Sequence, residues 1–232
     1  MLEFIRSRYR RYRTPTDRGL TLVEALVAII TIAAVTTAIT PPIFIAVATR
    51  VQNRKAEQAM QLAQGEIDRV RVLLDEGLRE EEAEELPELA GDDLSAVGPP
   101  DSAADLLSDI NSPTTALRID VDADGSPDFL VQSFRGKQAS VFAGGRQVPV
   151  VFDLGVRVYS IVAETESNFS GLETTEASLK FTTGQGDTRE RPLAVLYTQL
   201  GQSDSALSLD KYRCHLDEST STADCTDEEP EP

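Results

Sequence analysis

Between Leu20 and Thr49 the chain reads LTLVEALVAIITIAAVTTAITPPIFIAVAT, and Glu24 is the only charged side chain in it. A helix crosses the hydrocarbon core of a bilayer with about 20 apolar residues, so this stretch is long enough to span with residues to spare. It is also too long for the apolar core of a secretory signal, and it runs on into an amphipathic pattern instead of a small-residue cleavage site and a loop. A plain signal anchor satisfies the length and the composition. It supplies no reason for Glu24, since a carboxylate at such depth costs roughly 3 kcal/mol on insertion scales and calls for a partner or a purpose.

Charge sets the orientation of this span. Residues 1–19 hold six Arg (Arg6, Arg8, Arg10, Arg11, Arg13, Arg18) against Glu3 and Asp17, a net of +4. Residues 20–232 hold 16 basic and 37 acidic side chains, a net of −21 within a chain total of −17. A basic flank beside an apolar span stays in the cytoplasm, so everything after residue 49 is expected outside, in the periplasm or beyond. An acidic outer part of this size repels nucleic acid. The arginine run RSRYRRYR is therefore read as a cytoplasmic flank and not as an RNA-binding or nuclear-targeting segment.

Beyond the span, the periodicity changes twice. Val51, Ala59, Leu62, Ala63, Ile67, Val70 and Leu74 recur at helical spacing with Gln, Arg, Lys and Glu between them, which predicts an amphipathic helical half over 50–85, fading at Gly77 or in the acidic run after it. Residues 86–116 are rich in acid, Pro and Gly and read as a linker; Ser102 and Asp105 there form a weak capping box for a short helix over Ser102–Ile110. Strand signals fill 117–202. They fall at Leu117–Val121, Phe129–Phe134, Val148–Ala163 with a break or bulge at Gly155, Ala177–Thr182 and Pro192–Leu200, with TTGQGDTRER as a loop. Residues 203–232 form a polar acidic tail, expected to be disordered beyond Cys225. One helix followed by a meander of strands predicts an α+β fold, with an antiparallel sheet packed on the amphipathic half-helix.

Gly19 immediately precedes the apolar run, and Glu24 is the fifth residue after it. This pairing resembles the processing site of type IV prepilins and pseudopilins. The resemblance implies that a prepilin peptidase cuts between Gly19 and Leu20, removes residues 1–19 as a leader, and methylates the new amino terminus at Leu20. It implies that Glu24 and Pro41 serve assembly, with other pilins or pseudopilins and an inner-membrane platform as partners. The chain departs from the family's usual pattern in having Leu20 where Phe is common, and in a longer leader. The junction PPIFIAVATRVQNRKAEQAMQLAQGEIDRVR and the strand RPLAVLYTQL are similar, more narrowly, to pseudopilins of cyanobacterial hormogonium polysaccharide-secretion systems. On this resemblance the protein is a single-pass inner-membrane subunit of a secretion filament, and the structural alternative is a major subunit of a long type IV pilus.

Two further constellations carry chemistry. Asp120, Asp122, Asp124, Gly125, Ser126 and Asp128 alternate as in the first part of a calcium loop, with hard oxygen donors and a Gly at the sharp bend. The bidentate Glu of an EF-hand is missing, because Val131 stands at the twelfth position. The expectation is a hairpin calcium site built from the four Asp side chains and the Ser126 carbonyl; the plain alternative is an acidic Asp-Gly turn. Cys214 and Cys225 are the only cysteines. Outside the cytoplasm such a pair is more readily bonded than reactive, and a C-terminal disulfide loop is a familiar pilin feature. His215, the sole histidine, lacks the companions that a zinc or Cys–His site needs. There is no phosphate loop, nucleophile elbow or metal-hydrolase histidine pair, so no enzyme is expected. The class of function opposed to assembly is a membrane-anchored, calcium-dependent extracellular binding module or hydrolase, for which the plentiful carboxylates leave room.

Overall fold

In the computed structural model the described residues are 19–76, 85–143, 145–178, 184–202, 208–217 and 225. The chain divides into two compact units after Val47, and the division falls inside helix α1, which covers Leu22–Asp75. The expected fading of this helix at Gly77 and beyond, and the leader up to Arg18, lie outside the described residues.

In the first unit, Thr21 caps the helix: its Oγ1 accepts the backbone N–H of Glu24 at 3.2 Å. Pro41 and Pro42 sit inside α1 and do not end it. A Pro in a helix withdraws one backbone donor and crowds the preceding turn. Threonine hydroxyls in the turns before them donate back to helix carbonyls, Thr40 to Thr36 at 2.6 Å and Thr37 to Ala33 at 2.7 Å. Large apolar side chains along this unit are open on all sides, from Ile45 at 44% to Leu22 at 82% exposed.

The second unit holds a six-stranded sheet. Its strands are β1 (Glu88–Leu89), β2 (Ser102–Ala104), β3 (Thr115–Ile119), β4 (Phe129–Ala143), β5 (Arg146–Ser160) and β6 (Ala194–Gly201). The order is β2-β3-β4-β5-β6, with β1 pairing β4 beyond the end of β3. Pairings β3–β4, β4–β5 and β5–β6 are antiparallel as expected, but β1–β4 and β2–β3 are parallel. Residues from the segment read as a linker therefore join the sheet. The short helix expected over Ser102–Ile110 does not form, and only Leu107–Asp109 makes a single 3₁₀ turn. Its capping box is dismantled by tertiary contacts: the Ser102 hydroxyl bonds Asp101 and Thr115, and Asp105 is taken by Arg118 at 3.0 Å.

The β4–β5 hairpin is far longer than the alternation suggested. Register shifts between Arg135 and Gln138 and between Ala139 and Ser140 interrupt the period of two, and such bulges hide a strand from a pattern search. No break occurs at Gly155, which pairs with Phe134 on one side and Tyr197 on the other; the nearest register shift starts beyond the Arg135–Leu154 pair. The strand expected at Ala177–Thr182 is absent over Ala177 and Ser178, and the rest of it lies outside the described residues. Part of the expected loop before β6 is a helix, α3 (Gly184–Glu190), which follows the one-turn helix α2 (Val162–Thr165). Within the tail a further helix, α4, covers Ser208–Leu216; the stretch past Cys225 is not described.

One face of the sheet packs on α1. Ala59, Ala63, Val70 and Leu74 of the helix share a core with Phe129, Val131, Phe152, Leu154, Val156, Val158, Ala194 and Leu200. The helical spacing seen in the sequence is thus the buried stripe, although Val51 at its start remains open. The opposite face buries a second apolar cluster, Ala116, Leu130 and Tyr159 with Ala163 and Leu172, and beside it the buried polar side chains Gln132 and Arg157, which were not expected.

Candidate functional site

Gly19 and Leu20 precede α1 and are exposed, and Glu24 lies in the helix's first turn. Its side chain makes no ion pair among the described residues, and its backbone N–H is the one capped by Thr21. Thr21-x-x-Glu24 has the spacing of a capping box, of which the threonine half is formed. By length and composition α1 is the one candidate membrane span among the described residues.

The acidic turn connects β3 to β4. Its neck is closed by the Asp128 N–H donating to the Ile119 carbonyl at 2.8 Å. Above the neck, carboxylates fold inward onto the backbone. Asp120 accepts the N–H groups of Ala123 at 2.7 Å and Gly125 at 2.8 Å, one on each oxygen. Asp122 accepts from Asp124, Asp124 from Ser126, and Asp128 from Val121. For Asp120 the Gly125 N–H, followed by others of the turn, favours the charged form and holds the carboxyl below its ordinary value. Gly125 has φ +89°, open to Gly, while Ala123 at φ 57° adopts a region that a side chain resists. One oxygen each of Asp120, Asp122 and Asp124 lies within 4.8 Å of the others. Asp128 stands at the neck, outside that cluster, so three of the four expected carboxylates converge. The donor set is all hard oxygen, and Asp122, Asp124 and Asp128 each have one carboxylate oxygen uncommitted by these bonds. That chemistry fits calcium.

Cys214 and Cys225 are bonded, S–S 2.00 Å. The bridge packs Cys225 beside Ala139, Val150 and Val151 and brings α4 onto β4 and β5. Next to it His215 is 4% exposed, with Nε2 at 2.9 Å from Asp153 Oδ1.

The buried polar side chains on the second sheet face are the feature that sequence patterns missed. Arg157, in the middle of β5, has 0% exposure and no carboxylate partner among the described residues. Its Nη1 donates to the carbonyls of Val97 at 2.8 Å and Gly98 at 3.1 Å, and its Nη2 to that of Leu94 at 3.2 Å. Nε and Nη2 both reach the Tyr197 hydroxyl, at 3.0 and 2.8 Å. The guanidinium lies 4.8 Å from the centroid of the Phe134 ring, and that ring covers Gly155 so closely that a Cβ there would sit 2.5 Å from it. The bare backbone of Gly155 is what admits the ring. Nearby, Gln132 donates to the Gly98 and Pro113 carbonyls, and Tyr159 donates to that of Glu173 at 2.9 Å, burial pushing its phenol pKa up. Arg118 of β3 binds Glu164 of α2 and Asp105 together. Arginine inside an otherwise apolar strand, VRVYS, was the one available signal.

No protein-family model matches this chain, and no match to it is found among curated proteins or solved structures.

Proposed function

We propose that this chain is a pseudopilin or minor pilin, a structural subunit and not an enzyme. The observation that carries the reading is Gly19 directly before an apolar helix whose first turn holds Glu24, at the fifth place of the chain that begins with Leu20. Support comes from the architecture, a long N-terminal helix followed by a mixed, mainly antiparallel sheet in a pilin-like α+β arrangement. Prepilin peptidase would cut after Gly19 and methylate Leu20. The product would sit in the inner membrane with residues 20–49 in lipid and the domain outside, then join other pilin-like subunits on an assembly platform. Glu24 of an incoming subunit would pair with the amine of Leu20 on a neighbour. Two unit charges about 4 Å apart at an effective dielectric near 20 attract by about 4 kcal/mol, enough to offset burial of the carboxylate. The filament would drive secretion, with polysaccharide as the cargo on the narrower resemblance.

The acidic turn is read as a calcium site, with Asp120, Asp122 and Asp124 as the converging ligands and Asp128 and the Ser126 carbonyl completing the set. The observation favouring it is the convergence of three exposed carboxylates, with no cation of the chain paired to them among the described residues. The test of the leading reading is mass spectrometry of the membrane-bound protein. A methylated Leu20 terminus is expected, and a mature chain that retains residues 1–19 overturns it.

A further inference from the structure

Among the described residues the edges of the sheet are guarded, with one exception. Strand β2 bounds one side with only three residues, bracketed by Asp101 and Asp105. The far part of the β4–β5 hairpin carries Lys137 and Arg146. Short strands and charges are the usual protection of an edge against pairing with another chain. Strand β6, which bounds the other side, has neither. It is eight residues long, reads AVLYTQLG, and holds no charge and no Pro in a chain that is 26% charged. Every one of its residues pairs with β5 in a single register, so no bulge turns the edge away from a neighbour.

The ladder decides which groups of β6 are open. The Gln202 N–H donates to the Val150 carbonyl at 2.8 Å, and the register from Val151–Gly201 to Val158–Ala194 continues from that bond. Bonded and unbonded pairs alternate in an antiparallel ladder, so Ala194, Leu196, Thr198 and Leu200 bond to β5. The N–H and C=O groups of Val195, Tyr197, Gln199 and Gly201 point away from it, and no partner for them occurs among the described residues. Such a row calls for another extended backbone, and its spacing says which. In an antiparallel register centred on Thr198 the row maps onto itself: Val195 meets Gly201, Tyr197 meets Gln199, and about eight main-chain bonds form. Any other centre leaves outward groups of both strands unbonded. The side chains agree. Leu196 lies opposite Leu200, and Thr198 lies opposite its own mate. A Thr–Thr pair is favourable across strands, like charges are not, and none fall in this ladder.

We propose that β6 is the docking edge for a second copy of this chain, pairing with the copy's own β6 so that the two sheets become one. The contact is isologous and closes at the dimer. It rests neither on processing at Gly19 nor on calcium in the acidic turn. A net charge of −17 on each copy opposes approach, but that repulsion is screened beyond about 8 Å at physiological salt, and the edge itself is uncharged.

The test uses the full chain in detergent micelles, with Cys214 and Cys225 already bonded to each other so that no native thiol interferes. Thr198→Cys should form a disulfide-linked dimer under mild oxidation. Its mate sits at an unbonded pair with Cα atoms about 4.5 Å apart, within disulfide range. Val195→Cys should not crosslink, because its mate lies at the far end of the ladder, about 20 Å away; association through the apolar helices has no such preference. Gln199→Pro, added to Thr198→Cys, removes an outward N–H that β5 does not use, where an edge strand tolerates Pro. Crosslinking should then slow at least tenfold while the melting temperature holds. Should Gln199→Pro lower the melting temperature, the comparison of the two cysteine variants decides by itself. Absence of the Thr198→Cys dimer, equal crosslinking of the two cysteine variants, or crosslinking untouched by a folded Gln199→Pro overturns the proposal; an edge covered by another part of the chain gives the first of these.

Discussion

Replacing Arg157 should reveal how much of the domain hangs on one buried cation. The side chain is fully buried, and its five bonds engage four acceptors: three backbone carbonyls in Leu94–Gly98 and the Tyr197 hydroxyl. Two effects oppose each other in Arg157→Met. Removing the charge relieves a desolvation penalty of several kcal/mol, which is why apolar replacements of buried ion pairs are sometimes stabilising. Against that, the three carbonyls lose their donors, at about 1–3 kcal/mol for each that stays buried. Loss of the cation over Phe134 removes about 1–2 kcal/mol more. Tyr197 is 47% exposed and recovers water, and Val97 at 7% cannot. The loop is pinned at Val97 and again by Gln132 on Gly98, so the carbonyl losses should win by about 3 kcal/mol. For a unit of this size that lowers the melting temperature by about 6–12 °C. Arg157→Lys is the sharper probe. It keeps the charge but loses the planar fork that reaches four acceptors at once, so it should be at least as damaging as Met. Thermal melts by circular dichroism, with the disulfide intact, measure both. A Met variant as stable as the parent, or a Lys variant clearly better than Met, would refute this account of the buried arginine.

Four other outcomes are expected. Glu24→Leu should insert into membranes as well as the parent or better, since a carboxylate leaves the apolar segment, but crosslinking to partner subunits should fall; unchanged crosslinking removes the charge-pair role. Calcium at about 5 mM should stabilise the domain by about 1–2 kcal/mol if the affinity lies in the range of about 10⁻⁴–10⁻³ M known for extracellular modules. Asp122→Ala should abolish that shift in a melting assay, and equal melts in calcium and chelator would leave an ordinary acidic turn. Without metal, the lowered Asp120 pKa means that its contribution is present above the unfolded value near 3.9 and is lost as pH falls through the folded one, so acid melts of Asp120→Asn should be flatter than those of the parent. Gly155→Ala should destabilise by about 1–3 kcal/mol, because its Cβ would meet a Phe134 ring that the Arg157 guanidinium covers.

Residues 20–75 were legible in the sequence because their structure depends on local quantities. An apolar run of sufficient length needs no partner to declare itself, and the stripe Ala59, Ala63, Val70, Leu74 follows from a helix's repeat. The turn at Asp120–Gly125 was legible for the same reason, since each carboxylate caps an N–H two to five residues away. Legibility failed where bonding partners are distant. Residues 86–104 look like a linker until β4 and β3 offer them backbone partners. Strand β4 hides its length because its bulges break the alternation.

What the sequence determined by itself is a helix fit to cross a membrane, an acidic domain behind it, and one buried helical stripe. Only the tertiary structure decided what covers the sheet's second face. Arg157 reaches the Val97 carbonyl across 60 residues of chain, and His215 reaches Asp153 across 62. A polar side chain in a strand announces solvent unless some remote segment arrives to satisfy it, and that arrival is a property of the whole fold.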